Sequence, residues 1–182
     1  MVQWDPNRYR PQLYVMVRCL HLDRRLQRRF DSSDLVQETL LRAVQGLDDC
    51  RAQTDGERIK WLQRILVNAA RDKIAEHKAA KRNLDLEKSL QAVVADSSAR
   101  LEAWAAAEQS SPSQQAQRHE LSLQVAEALV RLPTNQQDAI LLHHASGASV
   151  SQIAQRMGCT TKAVAGLLYR GLKKLREILQ QS

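Results

Sequence analysis

The segment from residue 149 to the C-terminus constrains the fold most, because it predicts two helices joined by one tight turn. Ser149 and Gln152 have the spacing of a capping box, in which each side chain accepts a backbone N–H at the start of a helix. Gly158 can adopt the left-handed backbone conformation that a tight turn requires. We therefore predict a short helix over Val150–Met157 and a longer helix from Thr161 to about Leu179.

These two helices have the residue pattern of a helix-turn-helix, whose second helix enters the major groove of DNA. Ala154 is small where the two helices must cross, and Val164 and Leu167 are apolar where they must pack. The residues left facing outward are those expected to meet the DNA: Thr160, Thr161, Lys162, Ala165, Gly166 and Tyr169. The cations that follow are spaced to reach phosphates: Arg170, Lys173, Lys174 and Arg176.

The rest of the chain also predicts helices. Hydrophobic residues make up 43% of the 182 residues, and there are only 6 Gly and 4 Pro. Few turn-forming residues and many good helix formers favour helices, and no segment shows the strict alternation of a strand. The predicted fold class is all-α, with two small helical domains, residues 1–83 and 118–182, joined by a linker over residues 84–117.

The charge of the chain is unevenly distributed. The formal net charge is +7, and a surplus of cations favours a polyanionic partner, because neutralised phosphates release counterions. The linker is acidic, since Lys88 and Arg100 are outnumbered by Asp85, Glu87, Asp96, Glu102 and Glu108. We expect one short helix in it, around Ala99–Glu108. The excess positive charge therefore lies in the two flanking domains, where a nucleic-acid-binding protein needs it.

Several other classes of protein are disfavoured. Cys19, Cys50 and Cys159 are odd in number and far apart, which argues against a zinc site or a disulfide framework and fits a reducing cytoplasm. His143 and His144 are adjacent on a predicted helix and point in different directions, so no metal site is expected. Without a glycine-rich phosphate loop or a nucleophile elbow, neither a cofactor nor enzymatic activity is expected. No apolar run is long enough to cross a membrane, and the polar N-terminus does not resemble a signal peptide.

One predicted helix in the first domain begins at the cluster Asp31-Ser32-Ser33-Asp34, with Asp34 and Gln37 in capping-box spacing. Its predicted buried face comprises Leu35, Val36, Thr39, Leu40, Ala43, Val44 and Leu47. The opposite stripe, with its neighbours, comprises Asp34, Gln37, Glu38, Leu41, Arg42 and Gln45. Leu41 in a polar stripe is either a contact for another protein or simply exposed, and the pattern leaves both interpretations open.

A second predicted helix, over roughly Glu57–Arg82, has two distinct faces. The apolar face comprises Ile59, Leu62, Leu66, Ala69, Ala70 and Ile74. On the other side, polar residues recur at intervals of three and four: Arg64, Asn68, Arg71, Lys78 and Arg82. A solvated face normally mixes charges of both signs, whereas this stripe holds few acids. DNA contact is therefore the favoured interpretation, and a solvated face is the alternative.

With these residues in view, the chain resembles the extracytoplasmic-function (ECF) subfamily of the sigma-70 family of RNA polymerase sigma factors. Asp34–Thr39 is similar to the family's polymerase-binding helix, and Trp61–Asn68 to the helix that opens and reads the promoter −10 element. Leu168–Arg176 is similar to the end of the −35-reading domain. The resemblance implies a cytoplasmic protein, nucleoid-associated within holoenzyme, that directs promoter-specific initiation and has no catalytic activity of its own.

The resemblance also implies roles for residues. The β′ clamp of core polymerase would be bound by Asp34, Gln37, Glu38, Leu41 and Arg42. The −10 DNA would be followed by Trp61, Arg64, Asn68, Arg71, Lys78 and Arg82, with the loop Asp49–Glu57 holding a flipped base. The −35 DNA would be read by Thr160, Thr161, Lys162, Ala165, Gly166, Tyr169, Arg170, Lys173 and Lys174. Residues 1–83 would be sigma domain 2, residues 118–182 sigma domain 4 beside the β flap, and the linker would thread the active-centre cleft. Whether an anti-sigma factor also binds is left open.

The chain departs from the family pattern in two places. Arg58-Ile59-Lys60 stands before Trp61 where relatives usually carry aromatic or small polar residues, so base capture would depend more on cations and the loop. Ala165-Gly166-Leu167 lacks the usual basic and serine side chains, which leaves Thr161 and Lys162 as the expected base readers and permits backbone approach at Gly166. The alternative function is a helix-turn-helix repressor or activator with an N-terminal sensor or partner-binding domain, which would bind duplex DNA without polymerase.

Overall fold

The computed structural model describes residues 4–22, 31–76, 84–107 and 115–181, and every regular element in those ranges is helical. The α-helices are α1 (Arg10–Leu22), α2 (Ser32–Gln45), α3 (Asp55–Glu76), α4 (Leu84–Ala107), α5 (Gln115–Val130), α6 (Thr134–Ile140), α7 (Val150–Met157) and α8 (Thr161–Gln180). Short 3-10 turns cover Pro6–Tyr9 and Leu47–Asp49, and one π-helical turn covers Leu141–Ala145. The predicted all-α class is confirmed for the described residues.

The chain divides into two compact units, Met1–Asp96 and Ser97–Ser182. The division falls inside α4, a continuous helix of 24 residues, so the prediction of one short helix around Ala99–Glu108 was wrong in extent. Leu90 and Val94 are buried, as are Ser97 and Ser98, and this spacing of three and four is that of one helical face. The acidic composition of the segment outweighed the helical spacing of Leu90 and Val94 in the prediction. Residues 108–114 of the predicted linker lie outside the described ranges.

The core of the first unit is formed where α1, α2 and α3 pack together. Its largest fully buried side chains include Tyr9, Leu13, Met16, Leu20, Leu35, Leu62 and Leu66. The predicted apolar face of α3 is confirmed, because Ile59, Leu62, Leu66, Ala69, Ala70 and Ile74 are all buried. Two details of α2 differ from the prediction. Its cap is Asp31, whose carboxylate accepts from the N–H groups of Ser33 and Asp34 at 2.8 and 3.2 Å, and Val44 is 52% exposed rather than buried.

The cap of α3 also differs from the predicted start near Glu57, because the helix begins at Asp55. The Thr54 hydroxyl accepts from the Glu57 N–H at 3.3 Å, and the Glu57 carboxylate accepts from the N–H groups of Gln53 and Thr54 at 2.8 and 3.2 Å. These backbone donors lower the pKa of Glu57. The reciprocal bonds end the preceding loop and set the direction in which α3 leaves it.

The second unit contains the predicted helix-turn-helix with the predicted boundaries of its first helix. The capping box at Ser149 and Gln152 is confirmed, and Gly158 has φ +64°. The Thr160 hydroxyl accepts from the Ala163 N–H at 3.1 Å and caps α8. Behind the motif, α6 crosses α8 so closely that a Cβ on Gly171 would lie 2.8 Å from Ile140 Cδ1. A Cβ there would require the end of the Ile140 side chain to move and Gln136 Cβ, 3.2 Å away, to give way slightly.

Candidate nucleic-acid and polymerase-binding surfaces

The outer surface of α2 brings the predicted polymerase-binding residues onto one side. Asp34, Gln37 and Leu41 are exposed, and Glu38 and Arg42 are half-buried. Leu41 is 54% exposed and Val44, one turn further, is 52% exposed. Residues three apart on a helix are neighbours, so these two side chains form an apolar pair within the polar stripe. Sequence reasoning missed Val44, although its position seven residues after Gln37 signals the same side of the helix.

Arg42 and Glu38 also have partners inside the first unit. Arg42 Nε donates to Glu38 Oε1 at 2.7 Å, and its Nη1 donates to Asp72 Oδ2 of α3 at 2.7 Å. The bonds to Asp72 and Glu38 raise the pKa of Arg42 above its usual value. Because all three side chains are about a third or more exposed, such pairs contribute roughly 0–1 kcal/mol. Arg42 therefore orients α2 against α3 and is not simply a surface cation.

The polar stripe of α3 is only partly open. Arg64 and Asn68 are exposed, Arg71 is half-buried, and its Nε lies 3.6 Å from Asp72 Oδ1. Lys78 and Arg82, the remaining predicted members, lie outside the described residues. A groove with a volume of about 220 Å³ runs beside the stripe. One wall consists of Lys60, Gln63, Arg64, Val67 and Asn68 of α3, and the other consists of Gln91, Val94 and Ala95 of α4.

Trp61, predicted to contact the −10 DNA, is half-buried in a cluster at the start of α3. A Cβ on Gly46 would lie 3.6 Å from its Cζ2, and its ring meets that of Trp4 edge-on with centroids 5.8 Å apart. Trp4 in turn meets Tyr9 edge-on at 5.5 Å. Trp61 thus joins the N-terminal segment to the loop that follows α2. Sequence reasoning missed Trp4, because nothing in the local pattern brings residue 4 to residue 61.

Arg58 belongs to the same cluster, which limits its part in base capture. Its guanidinium lies 5.6 Å from the ring centroid of Trp4, within cation–π range, and its Nη1 donates to Asp55 Oδ1 at 2.8 Å. The Tyr9 hydroxyl donates to the same carboxylate oxygen at 2.7 Å. Burial and this bond raise the pKa of Tyr9 to about 12. Arg58 is thus engaged within the chain, whereas Lys60 is exposed.

The outer side of α8 presents the residues predicted to meet the −35 DNA. All nine are exposed except Gly166, which is half-buried, and Tyr169 is 72% exposed. A Cβ on Gly166 would lie 3.2 Å from Nη1 of Arg170, so this guanidinium lies over the glycine. Backbone approach at Gly166 therefore requires Arg170 to swing away. On the opposite side Val164, Leu167 and Leu175 are buried against the rest of the unit.

The described ranges contain neither a cluster of metal ligands nor a helix that could cross a membrane. In those ranges, no group of three or more His, Cys, Asp or Glu residues could hold a metal ion. Among the helices described, none is long and apolar enough to cross a membrane.

Comparison with known proteins adds independent information. The model of Sigma-70 region 2 matches residues 7–80, and that of Sigma-70, region 4 matches residues 122–175. A probable RNA polymerase sigma factor, RfaY of Xanthomonas campestris pv. campestris, is 30% identical over 151 residues, which is 82% of this chain and 34% of the relative. The chain thus spans about a third of that curated relative. The sigma factor RpoE of Bartonella quintana, solved in complex with the anti-sigma factor NepR, matches over 94% of this chain and 91% of its own at 20% identity, with a TM-score of 0.34.

Proposed function

We propose that this chain, which belongs to the sigma-70 family through its region 2 and region 4 domains, directs core RNA polymerase to promoters. The observation that carries the proposal is that each family domain presents an exposed helix surface of matching chemistry. On α2 it is an apolar pair in a polar stripe, and on α8 a row of polar and cationic residues. The chain would act in the cytoplasm as a non-catalytic initiation factor.

Core polymerase would bind the outer surface of α2. Leu41 and Val44 are two of the few large apolar side chains exposed in the described residues, and interfaces are built around such anchors with a polar rim. Asp34 and Gln37 would supply that rim. Arg42, held between Glu38 and Asp72, would keep α2 in register with the DNA-facing helix α3.

Promoter DNA would be read at two places. The exposed Arg64 and Asn68 of α3, with Arg71, would follow the −10 element, and Lys60 adds a cation at the same groove. On α8, Thr161 and Lys162 stand at the N-terminal end of the recognition helix, from which side chains reach base edges. Lys173 and Lys174 lie further along and would contact phosphates, which hold the protein in position without reading sequence.

The test is to add the purified full chain to core polymerase and map transcript starts across genomic DNA. We expect a defined set of new starts preceded by a shared pair of sequence elements, and no such starts with core polymerase alone. The proposal would be overturned if the chain created no starts but bound specific duplex sites without polymerase. That second result would support the repressor or activator alternative.

A further inference from the structure

The wall that α3 contributes to the groove is cationic. Its residues recur at intervals of three and four, which places them on one side of the helix: Lys60, Gln63, Arg64, Val67 and Asn68. Lys60, Arg64 and Asn68 are exposed, and Gln63 is half-buried. Among the described residues that line the groove, none is acidic. This wall therefore has the charge that phosphate groups require.

The described residues of the opposite wall belong to α4, and all of them are uncharged: Gln91, Val94 and Ala95. Leu90 and Val94 are 0% and 1% exposed, so this part of α4 packs with its apolar side within the first unit. Gln91 is exposed beside them. The match to Sigma-70 region 2 ends at residue 80. Gln91 thus lies outside the segment to which the −10 element is assigned.

The size and lining of the groove suit one nucleobase. Its volume is about 220 Å³, below the roughly 300–1,000 Å³ of pockets for drug-sized ligands, which leaves room for a single ring system. Two of its lining residues, Val67 and Val94, are buried at 6% and 1% exposure, and the polar residues around them remain accessible. Enzymes that extrude a base hold it in the same way, with apolar contacts to the ring and hydrogen bonds to its edge.

Gln91 has the chemistry to read such a base. Its amide carries an acceptor oxygen beside a donor nitrogen, and glutamine pairs with adenine through two hydrogen bonds, donating to N7 and accepting from N6. The cations of α3 would instead contact phosphates, which carry no sequence information. The groove therefore combines a phosphate-binding wall on α3 with a base-reading wall on α4.

We propose that the groove between α3 and α4 holds one unpaired adenine of a promoter strand, with Gln91 reading the base and Lys60 and Arg64 contacting the flanking phosphates. This inference rests on the proposed function, because it takes this side of α3 to be the −10 reader. It deepens that function by adding a specificity-determining residue beyond region 2.

The first test compares Gln91→Leu with Ala92→Leu in the full chain. Both place one leucine at an exposed position of α4, but Gln91 lines the groove and Ala92 does not. The probes are fluorescein-labelled oligodeoxyadenylate, oligodeoxycytidylate and oligothymidylate of equal length. The wild type and the Ala92 variant should prefer the adenylate by about fivefold or more, and the Gln91 variant should bind all three within about twofold. Circular dichroism and thermal unfolding check that each variant folds.

A second test separates the phosphate wall from the base wall. Lys60→Ala should weaken binding of all three probes by a similar factor, keep the preference for the adenylate, and lower the salt slope by about 0.7, the value for one phosphate contact on a single strand. Lys88→Ala removes an exposed cation of α4 that does not line the groove, and it should leave both the preference and the slope nearly unchanged.

A competition experiment distinguishes a promoter strand from a free nucleotide as the source of the base. Deoxyadenosine monophosphate should displace the labelled adenylate only at far higher concentrations than unlabelled oligodeoxyadenylate does, because it lacks the neighbouring phosphates that add to affinity.

Three results would overturn the inference. The wild-type chain could show no preference for the adenylate, or the Gln91 variant could keep that preference. The monophosphate could also compete as well as the oligonucleotide, which would make the groove a site for a free nucleotide. The proposed function is tested separately, by association of the wild-type chain with core polymerase. If that association holds while Gln91→Leu changes nothing, only this inference is lost.

Discussion

Two helices of this chain carry the residues assigned to DNA, and they are held in different ways. On α8 the apolar side is buried in the second unit and the assigned side chains are exposed from Thr160 to Lys174, apart from the half-buried Gly166. On α3 the assigned Arg64 and Asn68 are also exposed, but they line a groove whose other wall is formed by α4. Under the proposed function, α8 would read a −35 site as duplex, whereas α3 would read the −10 element as polymerase opens it.

The largest effect on DNA binding is expected at α8, from the residues assigned to phosphate contacts. Replacing Lys173 and Lys174 together with alanine removes two exposed cations, and each lost phosphate contact should lower the salt slope by about 0.9. We expect all promoters to weaken by a similar factor and the slope to fall by roughly two units. The measurement is holoenzyme binding over a library of −35 variants at several salt concentrations, with Gln180→Ala as control. A loss confined to some −35 sequences would contradict this assignment.

The base-reading end of α8 should behave differently. Lys162 is exposed two residues after the cap of the helix, where a good base contact discriminates by about 1–3 kcal/mol. Lys162→Ala should therefore change which −35 sequences are preferred in the same library. If the variant instead scales every affinity by one factor, Lys162 does not read bases, and recognition must come from DNA shape.

The packing behind α8 can be tested with two glycines of one helix. Gly171→Ala puts a Cβ 2.8 Å from the buried Ile140 and 3.2 Å from Gln136 Cβ. Overpacking costs about 1–3 kcal/mol, which exceeds or offsets the ~1 kcal/mol that alanine gains over glycine in a helix. Gly166→Ala meets only the end of the Arg170 side chain and should be neutral or stabilising. Thermal unfolding should show Gly171→Ala melting several degrees below Gly166→Ala, and equal melting would contradict the close crossing.

The smallest effect concerns the cluster that anchors α3. Tyr9→Phe removes the bond to Asp55, a loss of about 1 kcal/mol in the free energy of unfolding. The folded-state pKa of Tyr9 is raised to about 12, above the unfolded value near 10, so its contribution is complete below pH 10 and is lost as the pH rises towards 12. Denaturant unfolding of both proteins should give a constant difference below pH 10 that changes above it. A pH-independent difference up to pH 12 would show that the phenol is not held this way.

The sequence predicted the helix-turn-helix almost residue by residue, because its signals are local. Ser149, Gly158 and Thr160 each act within a few residues of their own position, and the structure has them in the expected roles. The two wrong predictions for α2 have causes within the helix itself. The cap is Asp31 although Asp34 also has capping spacing, and Val44 is exposed because it lies near the border of the apolar face. The roles of individual residues at polymerase and DNA remain predictions.

Other features could not be predicted, because they depend on contacts between segments distant in sequence. Ile140 lies where a Cβ on Gly171 would point, and the ring of Trp4 contacts that of Trp61. Neither contact leaves a periodic signal in the sequence. The helical period of Leu90 and Val94 was present in the sequence, but charge composition outweighed it in the interpretation of the linker.

The most direct test of the central claim, that this chain is a polymerase-binding initiation factor, is co-elution with purified core polymerase in size-exclusion chromatography. The wild-type chain should co-elute, and Leu41→Asp with Val44→Asp should not, because two charges would replace the exposed apolar pair of α2. Gln180→Asp, at an exposed position at the end of α8 and away from that surface, should co-elute like the wild type. Failure of the wild-type chain to bind, or undiminished binding by the double variant, would contradict the account.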